Sequence, residues 1–298
     1  MPGKFAKIKL AKNIDELNLS NGLVKKAPGF IRDWYVEKFV PISIKETSIC
    51  STQGYEMVLG GAEEKFILKL GEEARALGVR AMFTSDELLL PQGFYVPEGI
   101  FAKVFLLEQV IEKVVRKRKF DPSKLSMVIV AGDEAITKAL LTELYAELNH
   151  LGVILEVESD TSAYDDIAFD IFDDCGLTVN FGGQGSYLLK EADIIINLSE
   201  HGKANEHLYK KEACYVELAP GGDKARRISQ RRSDVLLVDR FNVEFAGEHL
   251  TLEELELVMY VECAAFSSFV GGRNRDSCHV QVKNWLGLHE PRLRNLNF

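Results

Sequence analysis

Two rhythms of apolar and polar positions divide the chain. In the first part, Phe39 to Cys50 (FVPISIKETSIC) alternates with the two-residue period of a strand. Glu63 to Leu77 has the spacing of a helix that ends at Gly78, and Val79 to Thr84 predicts another strand. A long helix is expected over about Gly99 to Lys119, with Ile100, Val104, Leu107, Ile111 and Val114 on one face. Residues 1–38, with scattered charges and Pro28-Gly29, have no clear period and read as a loosely attached arm. The sharpest break is Lys119 to Ser126 (KFDPSKLS), where Asp-Pro-Ser interrupts the long helix.

Beyond the break, short apolar runs alternate with helical segments. Strands are predicted at Leu125 to Val130, Val153 to Val157, Leu177 to Phe181, Asp193 to Leu198, Cys214 to Leu218 and Val235 to Val238. Helices are predicted at Ala135 to Leu151, closed by Gly152, and then at Tyr164 to Cys175, Ser186 to Glu191 and Gly222 to Gln230. Near the end come an apolar helix over Glu253 to Phe269 and a strand at His279 to Val282. Strand runs that are apolar throughout and separated by helices call for a parallel sheet covered on both faces. The expected architecture is α/β: a doubly wound, Rossmann-like sheet preceded by a smaller α/β N-terminal domain, with a C-terminal helix packing back. The expected boundaries are 1–122, 123–250 and 251–298.

Composition changes this picture little, but it removes alternatives. The chain has 298 residues, 46% of them hydrophobic and 27% charged, with a formal charge of −9, which is ordinary for a globular protein and excludes disorder or a collagen repeat. Five cysteines, odd in number and without a C-x-x-C pair, argue against a disulfide framework or a zinc knuckle; no metal is expected. Residues 127–250 carry 11 basic and 23 acidic side chains, which repels nucleic acid. Arg116 to Lys119, the one compact basic cluster, closes the long helix, where cations favour its dipole. No apolar run reaches the length of a membrane helix, and Met1 to Lys12 lacks the apolar stretch of a signal peptide, so a cytoplasmic protein is expected.

In a doubly wound sheet, ligands lie beyond the carboxyl ends of the strands. After the first strand, Val130-Ala-Gly132-Asp-Glu-Ala135 matches the dinucleotide fingerprint G-x-G-x-x-G/A at its second and third positions, Gly132 and Ala135. Asp133 and Glu134 suit the helix start and oppose a pyrophosphate there. Glu156 and Glu158 follow the second strand, where a carboxylate holds ribose hydroxyls and favours NAD over NADP; solvated strand-end residues are the alternative. The glycines of the 182–186 loop read first as turn chemistry. After the fourth strand, His201 is a candidate general acid or base, with a plain surface histidine as the alternative. Arg226, Arg227, Arg231 and Arg232 read as a solvated helix face. Arg273 and Arg275, in a glycine-containing loop, are candidates for holding a substrate carboxylate or phosphate, or are simply exposed.

Leu125 to Phe269 resembles the NAD(P)-binding domain of the shikimate dehydrogenase and glutamyl-tRNA reductase group. The resemblance rests on EADIIINLSEHG at Glu191 to Gly202, on the strand–helix–strand return of Cys214 to Phe241, and on the apolar helix from Glu253 to Phe269. It covers about half the chain, with an incomplete glycine fingerprint and no recognisable Lys/Asp pair of the shikimate enzymes in the N-terminal part. It implies that Asn197 and Ser199 lie near a nicotinamide. The reading that follows is an NAD(P)-dependent oxidoreductase, its cofactor on Gly132, Ala135, Glu158, Asn197 and Ser199, its proton carrier His201, and its substrate in the cleft between the domains. Alternatives are a Rossmann-like binding, regulatory or scaffold module without redox chemistry, and a methyltransferase. The partners admitted are a small-molecule ligand and a second copy forming a homodimer, with no nucleic acid and no membrane.

Overall fold

A computed structural model describes residues 3–13, 16–17, 27–39, 41–145, 148–156, 161–183, 185–201, 203–219, 223–272 and 275–293. The chain divides into residues 1–99 with 245–290 and residues 100–244 with 291–298.

The first unit is built on a four-stranded sheet of order β2-β3-β1-β4: β1 (Lys4–Leu10), β2 (Ile42–Ile49), β3 (Thr52–Leu59) and β4 (Val79–Thr84). β1 pairs in parallel with β3 and β4, and β2 closes an antiparallel hairpin with β3. The expectation of a loose N-terminal arm fails here, because β1 is an interior strand. Phe5, Ala6 and Ile8 are fully buried, and Lys4, Lys7 and Lys9 mask the apolar pattern. Helix α1 (Gly29–Phe39) lies between β1 and β2 in sequence and α2 (Glu64–Ala76) between β3 and β4; Val36, Phe66, Leu70 and Ala74 join the core.

The second unit begins with α3 (Ile100–Arg118), which buries Val104, Leu107, Val110 and Val114 and packs on α4 (Glu134–Leu144). Gln109 donates to the Pro291 carbonyl at 3.0 Å and accepts from the Leu293 N–H at 3.3 Å. The long helix therefore belongs with the sheet that follows it. The division falls at 99/100 and 244/245, where the sequence pattern had suggested 122/123 and 250/251.

Six parallel strands follow: β5 (Ser126–Val130), β6 (His150–Ile154), β7 (Val179–Gly182), β8 (Ile194–Asn197), β9 (Cys214–Glu217) and β10 (Leu236–Val238). Their order is β10-β9-β8-β5-β6-β7, the 3-2-1-4-5-6 arrangement of the doubly wound dinucleotide fold read from the opposite edge. Helices α4, α5 (Asp165–Cys175), α6 (Leu188–Glu191) and α7 (Asp223–Arg231) make the crossovers. The expected helix to Leu151 is shorter, and Gly152 lies inside β6 opposite Val128 instead of capping it. A Cβ there would come within 3.1 Å of the Val128 side chain and 3.2 Å of Leu188, so close sheet packing explains the glycine.

After β11 (Val243–Phe245) and β12 (Glu248–Leu250), the chain returns to the first unit as α8 (Leu252–Glu262), α9 (Ala264–Val270) and α10 (Arg275–His289), followed by β13 (Arg292–Leu293). α8 packs on β1, β3 and β4, as expected of the returning helix. Its Glu256, 1% exposed, accepts from the Tyr95 hydroxyl and from the Glu98 N–H at 3.2 Å. The single expected helix is broken at Cys263, whose ψ of 103° is extended. The expected strand at 279–282 is helical, because Cys278, Val282 and Leu286 are buried at four-residue intervals. In α10 a Cβ on Gly287 meets nothing within 4 Å. Gly287→Ala should therefore raise stability by about 0.5–1 kcal/mol, read from urea unfolding; a lower midpoint would mean the helix is not formed there.

Candidate functional site

β5 lies between β6 and β8. The chain leaves β5 toward one edge of the sheet and β8 toward the other, so the loops after them diverge and open a crevice at the topological switch point. A cavity of about 520 Å³ lies there, lined by Gly132, Asp133 and Glu134 after β5, Glu156 after β6, Tyr164 before α5, and Ser199, Glu200 and His201 after β8. This volume is in the range of small-molecule and cofactor sites.

Gly132 brings the first loop against the fourth. A Cβ at this position would stand 2.1 Å from the Leu198 carbonyl oxygen and 2.6 Å from its carbon. Glycine is thus required by main chain meeting main chain, and the resulting contact forms one wall of the crevice. Asp133 caps α4: its carboxylate accepts from the Ala135 N–H at 2.9 Å and the Ile136 N–H at 3.1 Å. The Gly132 N–H donates to the Thr137 hydroxyl at 3.3 Å. The N–H groups of Asp133 and Glu134 meet no acceptor among the described residues. They stand at the head of the helix, where an anion is favoured.

Charge works against that anion. The described lining residues include the carboxylates of Asp133, Glu134, Glu156 and Glu200 and no Lys or Arg. Glu134 is paired with Lys138 at 2.6 Å. The other three give the cavity a negative field.

Behind the β8 loop is a buried polar cluster. Asn197 is 1% exposed; its amide donates to Glu217 Oε1 at 2.6 Å and to the Ser199 carbonyl at 3.0 Å. Glu217, at the end of β9, also accepts from the Tyr215 hydroxyl at 3.1 Å. Burial pushes the Glu217 carboxyl above its ordinary range, opposed by the hydrogen bonds from Asn197 and Tyr215 and by the charges of Lys224 and Lys103. Lys224 reaches in from α7, donating to the Ser199 carbonyl at 2.6 Å, to the His201 carbonyl and to Asn197 Oδ1 at 3.5 Å. Burial holds its ammonium below the ordinary range, opposed by Glu217.

The sequence-derived candidates separate accordingly. Gly132, Ser199 and His201 line the cavity. Ser199 is already engaged, its hydroxyl donating to the His201 carbonyl at 2.8 Å. The His201 side chain is exposed, and among the described residues its imidazole has no partner. Ala135 and Asn197 do not line the cavity; each serves the scaffold behind it. Glu158 and Arg273 lie outside the described residues, and Arg275 is placed only as the first residue of α10. The arginines of α7 are not simply a solvated face: Arg227 and Arg231 hold the buried Glu206 at 3.2 and 2.7 Å. Sequence reading missed Glu217 and Lys224 as members of the site. The available signal was an acidic residue closing an otherwise apolar strand, CYVE.

No protein-family model and no curated protein matches the sequence. Similar solved structures include L-tryptophan dehydrogenase from Nostoc punctiforme, at 13% identity over 95% of this chain and 79% of that one, with a TM-score of 0.40. Another is the 5-ketofructose reductase of Gluconobacter sp. strain CHM43 in its ligand-free form, at 14% identity over 95% and 99%, with a TM-score of 0.38. A third is quinate dehydrogenase from Corynebacterium glutamicum in complex with NAD, at 11% identity over 94% and 98%, also with a TM-score of 0.38. The strand order of this chain is by itself that of the doubly wound fold. No helix among the described residues is long and apolar enough to cross a membrane.

Proposed function

We propose that the chain is an oxidoreductase that binds a nicotinamide dinucleotide at the switch point of its second unit and acts on a small molecule. The observation that supports it is the cavity at the β5/β8 divergence of a sheet with dinucleotide-fold strand order. The residues present fit the group in part. The Asp133 and Glu134 N–H groups would hold a pyrophosphate, and Glu156 would accept from ribose hydroxyls. His201 would exchange a proton with the substrate. The dinucleotide, when bound, supplies hydride transfer; the chain positions it and carries the proton.

The acidic lining sets an order of preference. NADP adds a 2′-phosphate of about −1.5 to −2 charge to a cavity that has carboxylates and no Lys or Arg among its described lining residues. NAD should therefore bind at least about tenfold more tightly than NADP at low salt, with the gap narrowing as salt screens the carboxylates. Calorimetric titration with NAD, NADH, NADP and NADPH tests this order. Tighter NADP binding would contradict the proposed electrostatics.

A second reading, a Rossmann-like module without redox chemistry, is favoured by one observation. Asn197 and the Ser199 hydroxyl, the positions the family resemblance sets beside a nicotinamide, are engaged in internal hydrogen bonds. Failure of all four dinucleotides to bind at millimolar concentration would select it.

A further inference from the structure

The first unit carries its own cavity, about 510 Å³, on the face of the sheet where Lys7 and Lys9 lie. Strand register places Lys45, Glu56 and Lys7 side by side across β2, β3 and β1, and Ser43, Val58 and Lys9 in the next row. Side chains two apart on a strand share a face, so both rows face the same way. Lys12 and Glu16, beyond the end of β1, and Ser85 and Asp86, beyond β4, complete the rim.

The distribution of hydrogen bonds in this cavity is lopsided. Each carboxylate already has a protein donor. Glu56 takes Lys9 Nζ at 2.6 Å, Asp86 takes the Leu10 N–H at 2.7 Å, and Glu16 takes the Lys12 N–H at 3.0 Å. The Lys12 and Lys45 ammoniums and the Ser43 and Ser85 hydroxyls meet no acceptor among the described residues. Four donors thus line one concavity with no acceptor within hydrogen-bond reach among the described residues. The surrounding field is also felt by Glu56: the hydrogen bond from Lys9 holds its carboxyl below the ordinary range against burial, helped by the charges of Lys9, Lys45 and Lys7.

We propose that this cavity binds a small organic acid through its carboxylate, with Lys45 and Lys12 as the cations and the Ser43 hydroxyl as a neutral donor. Leu10 and Val58 supply the apolar wall for the carbon skeleton. Charge-assisted hydrogen bonds from ammonium to carboxylate are the strongest such a wall can make. A phosphate is the poorer fit, because its second charge meets Glu16, Glu56 and Asp86 in the same space. The inference does not depend on the nucleotide reading. The cavity lies within one unit, and the test needs no dinucleotide, so either proposal can fail alone.

The test uses the full chain at low salt, titrated by ligand-observed NMR with a panel of small 2-hydroxy, 2-oxo and 2-amino acids and with inorganic phosphate. At least one acid should bind saturably in the millimolar range or below, and more tightly than phosphate. Lys45→Met and Lys12→Met should each weaken it about tenfold, while Lys45→Arg retains much of the binding. Both lysines are exposed, so the variants should melt like the parent. Three results would overturn the assignment: no acid binding at millimolar concentration, tighter binding of phosphate, or unchanged affinity in the Lys12→Met/Lys45→Met double variant.

Discussion

Gly132→Ala is expected to destabilise the protein by about 3 kcal/mol, the upper end for overpacking. The added Cβ would lie 2.1 Å from the Leu198 carbonyl oxygen, and neither partner is a side chain that can rotate away. Relief requires moving the β5 loop away from the β8 loop. That shift strains the Leu198 N–H bond to the Val130 carbonyl, 2.9 Å, which ties the two strand ends together. In a thermal melt this corresponds to a loss of roughly 6–12 °C for a chain of this size. Gly185→Ala is the control: a Cβ there meets nothing within 4 Å, and the melt should not change. On the reading proposed above, Gly132→Ala also weakens dinucleotide binding, because the crevice wall and the Asp133 and Glu134 N–H groups move with the loop. A Gly132→Ala protein that melts like its parent would show that the two loops do not approach as described.

The second large effect is expected for Lys224→Met. The thioether keeps most of the chain volume and removes the donor that binds the Ser199 and His201 carbonyls and Asn197 Oδ1. Hydrogen bonds to a charged group are each worth about 1.5–3 kcal/mol, so a loss of roughly 2–3 kcal/mol is expected, net of replacement by water. The loop carrying His201 should loosen, with faster amide exchange at 199–201 than at the centre of β8. Glu217 then loses the cation that α7 sets against it, and Glu217→Gln in the same chain should recover part of the loss. A loss in the double variant equal to the sum of the two single-variant losses would mean that the residues are not coupled.

Glu217 also gives this cluster a pH dependence. Its folded carboxyl value is raised by burial, so its contribution to stability is complete below the unfolded value. That contribution is lost as pH rises through the folded value. Glu217→Gln should flatten this part of the stability profile above the ordinary glutamate range; an unchanged slope would place the titration elsewhere.

Most of the doubly wound sheet was legible because each of its strands is a short apolar run between helical repeats. LSMVIV and DIIINL need no knowledge of their neighbours to read as buried strands, since a strand covered on both faces has no polar side. β1 escaped the same reading: Lys4, Lys7 and Lys9 interrupt its apolar run, and only pairing with β3 and β4 makes the strand interior. The 279–282 segment was misread for a related reason. Four apolar-rich residues suit either period, and burial of Cys278, Val282 and Leu286 together selects the helix.

The candidate site divides along the same line. Gly132 was legible as the second fingerprint glycine after the first strand. What approaches it, the Leu198 main chain, depended on β8 lying beside β5. Asn197 was correctly placed at a strand end, yet Glu217 from β9 and Lys224 from α7 engage its amide and turn it into scaffold. In the doubly wound sheet, local sequence determined the strands, their alternation with helices and which loops reach the carboxyl edge, since periodicity and turn chemistry act over a few residues. Which side chains remain free to meet a ligand was decided by the fold alone, because hydrogen-bond partners 20 to 27 positions apart in the chain are set by strand order.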